Sequence, residues 1–566
     1  MNDDLVTDRI ADAEAVGTYV EAGLSVRAIC EASGWQRWRA ERAVELHRIL
    51  RAIKDPPGQR IAAPEAEEPG GIGSYPFEES FRSRHILERV VPPSSRIRRF
   101  LIPHADPNAA PENFFPNLLA YTAHMNAELA IGCRGTKLKS YASELRPYLC
   151  PDRVRLSDSC LLIGDTRMNS AAKDPLKDFL TKNGGGHVIV PHPRVALRSI
   201  PRMSCDPARY VVSTGSVTAP SYSDTQAGHD ALFHHVAGAL VVEIDVDGVA
   251  FFRHITADRE GSFQDLDCVV RDGVVHTGQR IAGVVWGDIH LAAMSRAIGL
   301  SSFGWDVAEK RSTGAFNLLD WLRPSWQLMA DGLDFPSRHR LAIKSSTEMA
   351  RMYFLGRGDV RQEVKDAADF YNACVRPWSD LKLTEDNHGR KFVDWVDGDR
   401  RRDPLPQNAG YAAALFAKKM EMIEAAGDDF RAYQIVEAAL RDEGMDAAVG
   451  VIYRGQSFAP GGVEVSIHSH KGINGASGNP SHYRGFGRKV TLTHPHTPII
   501  DAGMISAGTC AEIPEVWNPD STTHANAHVL HYATGKRCLL LMTADGRFRA
   551  TGRAGYSSSS TGYALG

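Results

Sequence analysis

The sequence predicts an α/β fold, and three observations lead to it. Short apolar runs bounded by turn residues recur along most of the chain, among them "CLLIGD", "GHVIVPHP" and "RYVVSTG". Stretches with helical spacing fall between such runs, as in "FFPNLLAYTAHMNAE" and "RQEVKDAADFYNACV". The composition, 43% apolar and 23% charged, is that of a soluble chain able to fill several cores. Apolar runs punctuated by Gly, Pro and Asp read as buried strands, and their alternation with helices places the chain in the α/β class. A length of 566 residues suggests about three domains.

Residues 1–51 read as helical. A first helix is expected over Asp8 to Glu21, followed by breaks at Gly23 and Gly34, with Ser25 as a cap between them. Helix, short Gly-containing turn and helix is the helix-turn-helix pattern. The last segment carries Arg37, Arg39, Arg42, Arg48 and Arg51 against Glu41 and Glu45. That local positive charge suits contact with DNA phosphates, with Arg37, Arg39 and Arg42 as the candidates. The competing reading is a helical hairpin with solvated arginines, used for protein contacts or oligomerisation.

Residues 52–76 have linker composition, rich in Pro, Gly, Ala and Glu. An α/β domain is expected over 77–278, from "RIRRFLIPHA" through "LVVEIDV" and "VAFFRHI". It contains no G-x-G-x-x-G and no phosphate loop, so it declares no chemistry of its own. A second domain is expected over 279–550, becoming β-rich in "VGVIYRG", "VEVSIHSH", "KVTLTHPH" and "HVLHYATGKRCLLLMT". Residues 551–566, ending in "GYSSSSTGYALG", read as a flexible tail.

The bulk numbers exclude some classes. No run of about 18 uncharged apolar residues occurs, so no membrane span is expected. The acidic start, "MNDDLVTDRIADAEAVG", lacks the apolar core of an export signal. Nine scattered cysteines without a C-x-x-C read as reduced thiols, which points to the cytoplasm. The net charge of −3 requires any DNA contact to be a local basic surface. Histidine is the unevenly placed residue: eight of 22 lie between 451 and 540.

Several ligand-type residues end apolar runs, where sites form in open α/β sheets. Asp288 and His290 follow "GVVW"; in an extended segment residues i and i+2 share a face, so both could reach one ion. Asp331 and Asp334 follow "WQLMA", and Asn387 and His388 lie in a polar turn. His468 and His470 end "VEVSI"; either could be the ligand, and His468 is preferred because it directly follows the apolar run. His494 and His496, separated only by Pro495, end "KVTLT", and an extended segment would aim both rings at one place. Mixed carboxylate and imidazole donors without thiolates suit a catalytic Mn, Fe or Zn, not calcium or a structural zinc.

The ordered set, D-x-H, D-x-x-D, N-H, H and H-x-H, resembles the calcineurin-like metallophosphoesterase family over about 280–540. The resemblance implies a β-sandwich flanked by helices, preceded here by the smaller α/β domain and the helix-turn-helix. It implies two divalent ions, manganese foremost, with Fe, Zn or Mg as alternatives. Asp288, His290 and His496 would hold one ion; Asn387, His468 and His494 the other. Asp331 would bridge them, and His388 would meet the scissile phosphate or leaving oxygen. The frame departs from the family's at Ala330, at Gly389 and at Thr493, where flanking Gly or acid residues are replaced.

Other segments, "FLIPHADPNAAPENFFPNLLAYTAHMNAELAIGCRG", "WGDIH", "FVDWV", "KGINGASG" and "STTHANAHVLHYATGKR", resemble early proteins of tailed phages that degrade host DNA. That resemblance implies a metal-dependent DNase working in the host cytoplasm, with a further part in DNA entry. The alternatives are a metallophosphoesterase for a small phosphoester and a non-catalytic DNA-binding or DNA-transfer protein. Arg338, after the second motif, and Arg390, beside His388, are candidates to meet substrate, as is His470 beside the ligands. Among the remaining histidines, 524, 528 and 531, one is expected to orient a ligand and the others to be structural.

Overall fold

The computed structural model describes residues 71–550, apart from 81–82, 135–136, 165–166, 182–184, 339–344, 399–402, 404 and 477. It also describes 15–16, 18–20, 26–36, 40 and 43–44. The chain forms two compact units, Met1–Pro69 and Gly70–Gly566.

In the first unit a helix spans Val26–Ser33 and stops at Gly34, whose φ of 69° is the left-handed conformation that ends a helix without strain. Ile29 packs with Val16, Ala40, Ala43 and Val44 in a small apolar cluster. Arg37, Arg39 and Arg42 lie outside the described residues.

The second unit is mixed α/β. A six-stranded sheet runs in the order Gly450–Ile452, Asp380–Thr384, Trp326–Met329, Gly283–Val285, Ala527–His531 and Arg537–Leu541. The first four strands are mutually parallel, and the last two form an antiparallel hairpin. Side chains alternate across this sheet as a two-residue period requires. Val284, Leu530 and Leu540 face a core shared with the helices Val360–Cys374, Asn387–Asp397, Pro406–Ala426 and Gln434–Asp442. Val285, Val529 and Leu539 face a second core.

That second core is shared with an eleven-stranded sheet. It contributes Leu162, Ile189 and Val212 from one part of the chain and Val463, Ile500 and Ile505 from another. The junction is Leu197–Ser199, paired on one side with Tyr210–Ser213 and on the other with Ile499–Asp501. The sheet therefore crosses the 278/279 boundary that the order of motifs suggested. The cause is that pairing is decided by which strand edges meet in space, not by sequence distance. Similarly, regular structure lies before residue 77: Ile72–Ser74 forms a 3-10 turn with Ile72 buried. No helix among the described residues is long and apolar enough to cross a membrane.

Candidate metal centre

The carboxyl ends of parallel strands from both sheets converge. The pairing of Gly283–Val285 with Trp326–Met329 runs on past the strands: Ile289 N donates to Ala330 O at 3.1 Å and His290 N to Asp331 O at 2.9 Å. This sets the first two motifs side by side. Two glycines permit the approach. A Cβ on Gly287 would lie 2.7 Å from Ala527 O, and one on Gly332 would lie 2.0 Å from the Tyr371 hydroxyl. On the other sheet Val463–Glu464 and Lys489–Leu492 are parallel neighbours, and their continuation pairs His468 with Thr493.

Asn387 and His388 are not in a turn. They open the helix Asn387–Asp397, whose N-cap Asp386 accepts from Gly389 N at 2.6 Å. The other Asp386 oxygen accepts from Asp331 N at 2.8 Å, so one carboxylate locks the second motif to the third. Burial, then the neighbouring Asp331 charge, push the Asp386 carboxyl up to about 7. Sequence reasoning gave Asp386 no role; its signal was its position before a helix of strong amphipathic pattern.

Among the described residues two groups of four ligand atoms result, each with all atoms within 4.8 Å of one another: Asp288, Asp331, His468 and His494, and Asp288, His290, Asp331 and His496. They share both carboxylates, so Asp288 joins Asp331 at the junction instead of serving one side only. Asn387 Oδ1 lies 2.7 Å from His468 Nε2, adding a neutral oxygen to the first group. His468 is the inner histidine; His470 turns its Nδ1 back to His468 O at 2.9 Å.

The route to this convergence differs from the extended geometry that the sequence suggested. His290, His494 and His496 have φ of 42°, 91° and 52°, and Asp331 has 52°. Positive φ is costly for residues with a Cβ and persists where the surroundings impose it. Here His494 N donates to the Asp288 carboxylate at 2.8 Å and Ala525 N to His496 O at 3.0 Å, which hold the two turns.

The polar inventory fits a cation. Both carboxylate oxygens of Asp331 and Oδ1 of Asp288 are buried without a hydrogen bond, Asp331 Oδ2 having His468 Nε2 at 3.3 Å beside it, which is expensive unless something positive meets them. His290 Nδ1 lies 2.9 Å from Asp334 Oδ1, and His496 Nδ1 lies 2.9 Å from Glu515 Oε1. Both Nδ1 atoms must donate to carboxylates, which leaves two Nε2 lone pairs facing each other at 2.9 Å in the neutral rings. A proton or a metal ion resolves that repulsion, and the carboxylate behind each ring is the usual partner of a metal-bound histidine. Burial opposes charge on His496, but Asp288 and Glu515 outweigh it and push the imidazolium up to about 10. Buried groups of His and Asp in this centre can therefore hold a metal ion.

His388 sits beside the ligands. Its Nδ1 donates to Asp334 O at 2.6 Å, with Asp334 Oδ1 3.0 Å away. Its Nε2 lies 3.3 Å from Lys391 Nζ. Burial opposes its charge, yet Asp331 and then Asp334 push its pKa up to about 9. Asp334 thus holds both His290 and His388. Glu515, which sequence reasoning missed, holds His496 and also meets His524 Nδ1 at 2.6 Å. It is a lone acid in a turn, with nothing in the local pattern to mark it.

Two expectations are corrected. Arg338 does not present itself to substrate: it is buried and forms a two-pronged pair with Asp403, both arms at 2.7 Å. Arg390 is half exposed on its helix and pairs with Asp394 at 3.5 Å, one turn on, while the neighbouring Lys391 reaches the centre instead. Of the three late histidines, His524 is the one near a ligand. His528 accepts from Gly287 N at 3.0 Å, and His531 meets the Thr491 hydroxyl at 3.1 Å; both are structural.

No family model matches the chain, and no solved structure matches it. The chain is similar to Protein A1 of Escherichia phage T5, 28% identical over 467 residues, which cover 78% of this chain and 81% of that protein.

Proposed function

We propose that the chain is a metal-dependent phosphodiesterase that hydrolyses DNA, using two divalent ions, manganese foremost, in a metallophosphoesterase-type site. The observation that carries the reading is the pair of shared, buried carboxylates, each with an oxygen that no hydrogen bond satisfies, flanked on each side by two imidazoles. Asp288, His290, Asp331 and His496 would hold one ion. Asp288, Asp331, His468 and His494, with Asn387, would hold the other. Two ions so placed would activate a water and offset charge on both the attacking and leaving oxygens of a phosphodiester.

The protein's own groups have separable tasks. Glu515 and Asp334 orient His496 and His290. Asp334 also fixes the Nδ1–H of His388, so Nε2 is the atom that faces substrate. With Lys391 Nζ beside it, His388 offers the leaving oxygen a hydrogen-bonding and cationic partner. The arginines of residues 37–51 would add a salt-sensitive grip on the DNA backbone. The similarity to a phage protein supports a phage setting, in which the substrate would be host DNA in the host cytoplasm.

The test is hydrolysis by the purified protein with Mn²⁺ of plasmid, linear and single-stranded DNA and of a chromogenic phosphodiester. Wild type should cleave DNA and the ester, while Asp331→Ala and His388→Ala should lose most activity. Cleavage of the ester without DNA would redirect the reading to a small phosphoester substrate. Undiminished activity in Asp331→Ala would remove the metal centre from the account. Deleting residues 1–51 should weaken DNA affinity and flatten its salt dependence.

A further inference from the structure

We propose that Trp517 is a stacking platform for a nucleobase beside the metal centre, so that the site takes an unpaired nucleotide of a DNA strand. This rests on the reading of the centre as a DNA phosphodiesterase and names the form of substrate it accepts.

Trp517 is 48% exposed and its neighbour Val516 is 73% exposed. Tryptophan is rarely left so open, because its ring is the largest apolar surface a residue can hide. The Trp517 ring lies at the edge of the centre, its centroid 5.1 Å from that of His290 and 6.5 Å from that of His496. Both imidazoles belong to the same ligand group.

The turn that carries Trp517 is anchored at both ends. On one side Glu515 is buried against His496 and His524. Within the turn, Asn518 N donates to Glu515 O at 3.0 Å. On the other side Pro519 O accepts from Ser204 Oγ at 2.5 Å and Asp520 O from Ser204 N at 2.7 Å. An exposed aromatic held by such a frame loses little conformational freedom when a partner stacks on it.

The layout around the ring matches a nucleotide. His388, His290 and Trp517 follow one another with centroid spacings of 5.0 and 5.1 Å. Lys391 stands at the His388 end. A phosphate seated against the centre thus has a cation near His388 and an exposed aromatic ring near His290. A base joined to that phosphate by a sugar can use the face, whereas a phosphoserine or a simple phosphomonoester offers it no π surface. In a duplex the base faces are already stacked on their neighbours, so Trp517 selects a base that has left the stack, at a single strand, frayed end or nick.

The experiment compares, with Mn²⁺, a single-stranded oligothymidylate and a chain of equal length built from abasic tetrahydrofuran phosphates. Wild type should favour the oligothymidylate by about tenfold or more in kcat/KM, the range expected for one base stacked on an aromatic ring. In Trp517→Ala the ratio should fall to near one, and Trp517→Phe should keep most of it. Equal cleavage of both chains by wild type, or a preference undiminished in Trp517→Ala, overturns the stacking role and leaves the phosphodiesterase intact. A Trp517→Ala protein that changes only its oligomeric state assigns the ring to contact between copies and overturns it too. Cleavage of plasmid DNA with neither single-stranded chain cut overturns the unpaired-nucleotide claim alone, and cleavage of no DNA at all overturns the phosphodiesterase reading itself.

Discussion

His290 and His496 confront each other through their Nε2 atoms at 2.9 Å, each braced from behind by a carboxylate, Asp334 for one and Glu515 for the other. The two residues are 206 positions apart, so the fold, not local sequence, imposes the contact. Braced imidazoles with inward lone pairs are prepared for a cation.

Glu515→Ala should weaken Mn²⁺ binding by about 10- to 100-fold, because the ring of His496 loses the acceptor that fixes its tautomer and orientation. Calorimetric titration with Mn²⁺ checks this. An unchanged affinity would mean that Glu515 does no more than hold its turn.

Asp386→Ala should destabilise the second unit by roughly 1–3 kcal/mol, combining the loss of a helix N-cap with the loss of the acceptor for the Asp331 amide. Asp386→Ser should recover the cap share only, since its shorter side chain cannot serve both Gly389 and Asp331. Urea denaturation separates the two variants. Equal stability of Ala and Ser variants would contradict the double role.

Arg338→Ala should cost about 3–5 kcal/mol, the penalty for leaving one member of a buried ion pair alone. Its partner Asp403 is enclosed to the same extent, each side chain being 3% exposed. DNA affinity measured on the folded fraction should not change. A fall in affinity without a fall in stability would return Arg338 to the substrate.

Glu363 supplies a pH dependence away from the ligands. It lines a cavity of about 350 Å³ beside Asp334 and Leu333. Its Oε2 is out of solvent without a partner, and burial pushes the carboxyl up to about 8. A folded-state pKa above the unfolded value means the contribution to stability is complete below about pH 4.5 and is lost as pH rises through about 8. Unfolding free energy should therefore fall on the order of a few kcal/mol across that window through this group. Glu363→Gln should flatten the decline, which a series of denaturant melts from pH 5 to pH 9 would detect. A decline of equal slope in the variant would assign the dependence elsewhere.

Much of the secondary structure was legible because the chain writes it locally. The apolar run in "GHVIVPHP" is the buried strand His187–Val190, and "RQEVKDAADFYNACV", except its last residue Val375, lies in the helix Val360–Cys374. Most of the residues that converge on the centre were also marked, since all but Asn387 and His388 end apolar runs and donor types are few. What was not legible depends on non-local packing. The extended segments assumed for His290, His494 and His496 are turns at positive φ, held by hydrogen bonds of their own backbone groups with Asp331, Asp288 and Ala525 respectively. Arg338 looked free because Asp403, 65 residues on, cannot be inferred as its partner from spacing. Glu515 and Trp517 lie in a turn with no periodicity to read, and their roles come from the strands that the turn meets.

The most direct measurement of the central claim is electron paramagnetic resonance of the protein titrated with Mn²⁺. Two ions sharing Asp288 and Asp331 should be taken up per chain and give the signal of a spin-coupled pair, which Asp331→Ala should abolish. Two magnetically isolated ions, no bound ion, or a coupled signal that survives in Asp331→Ala would contradict the account.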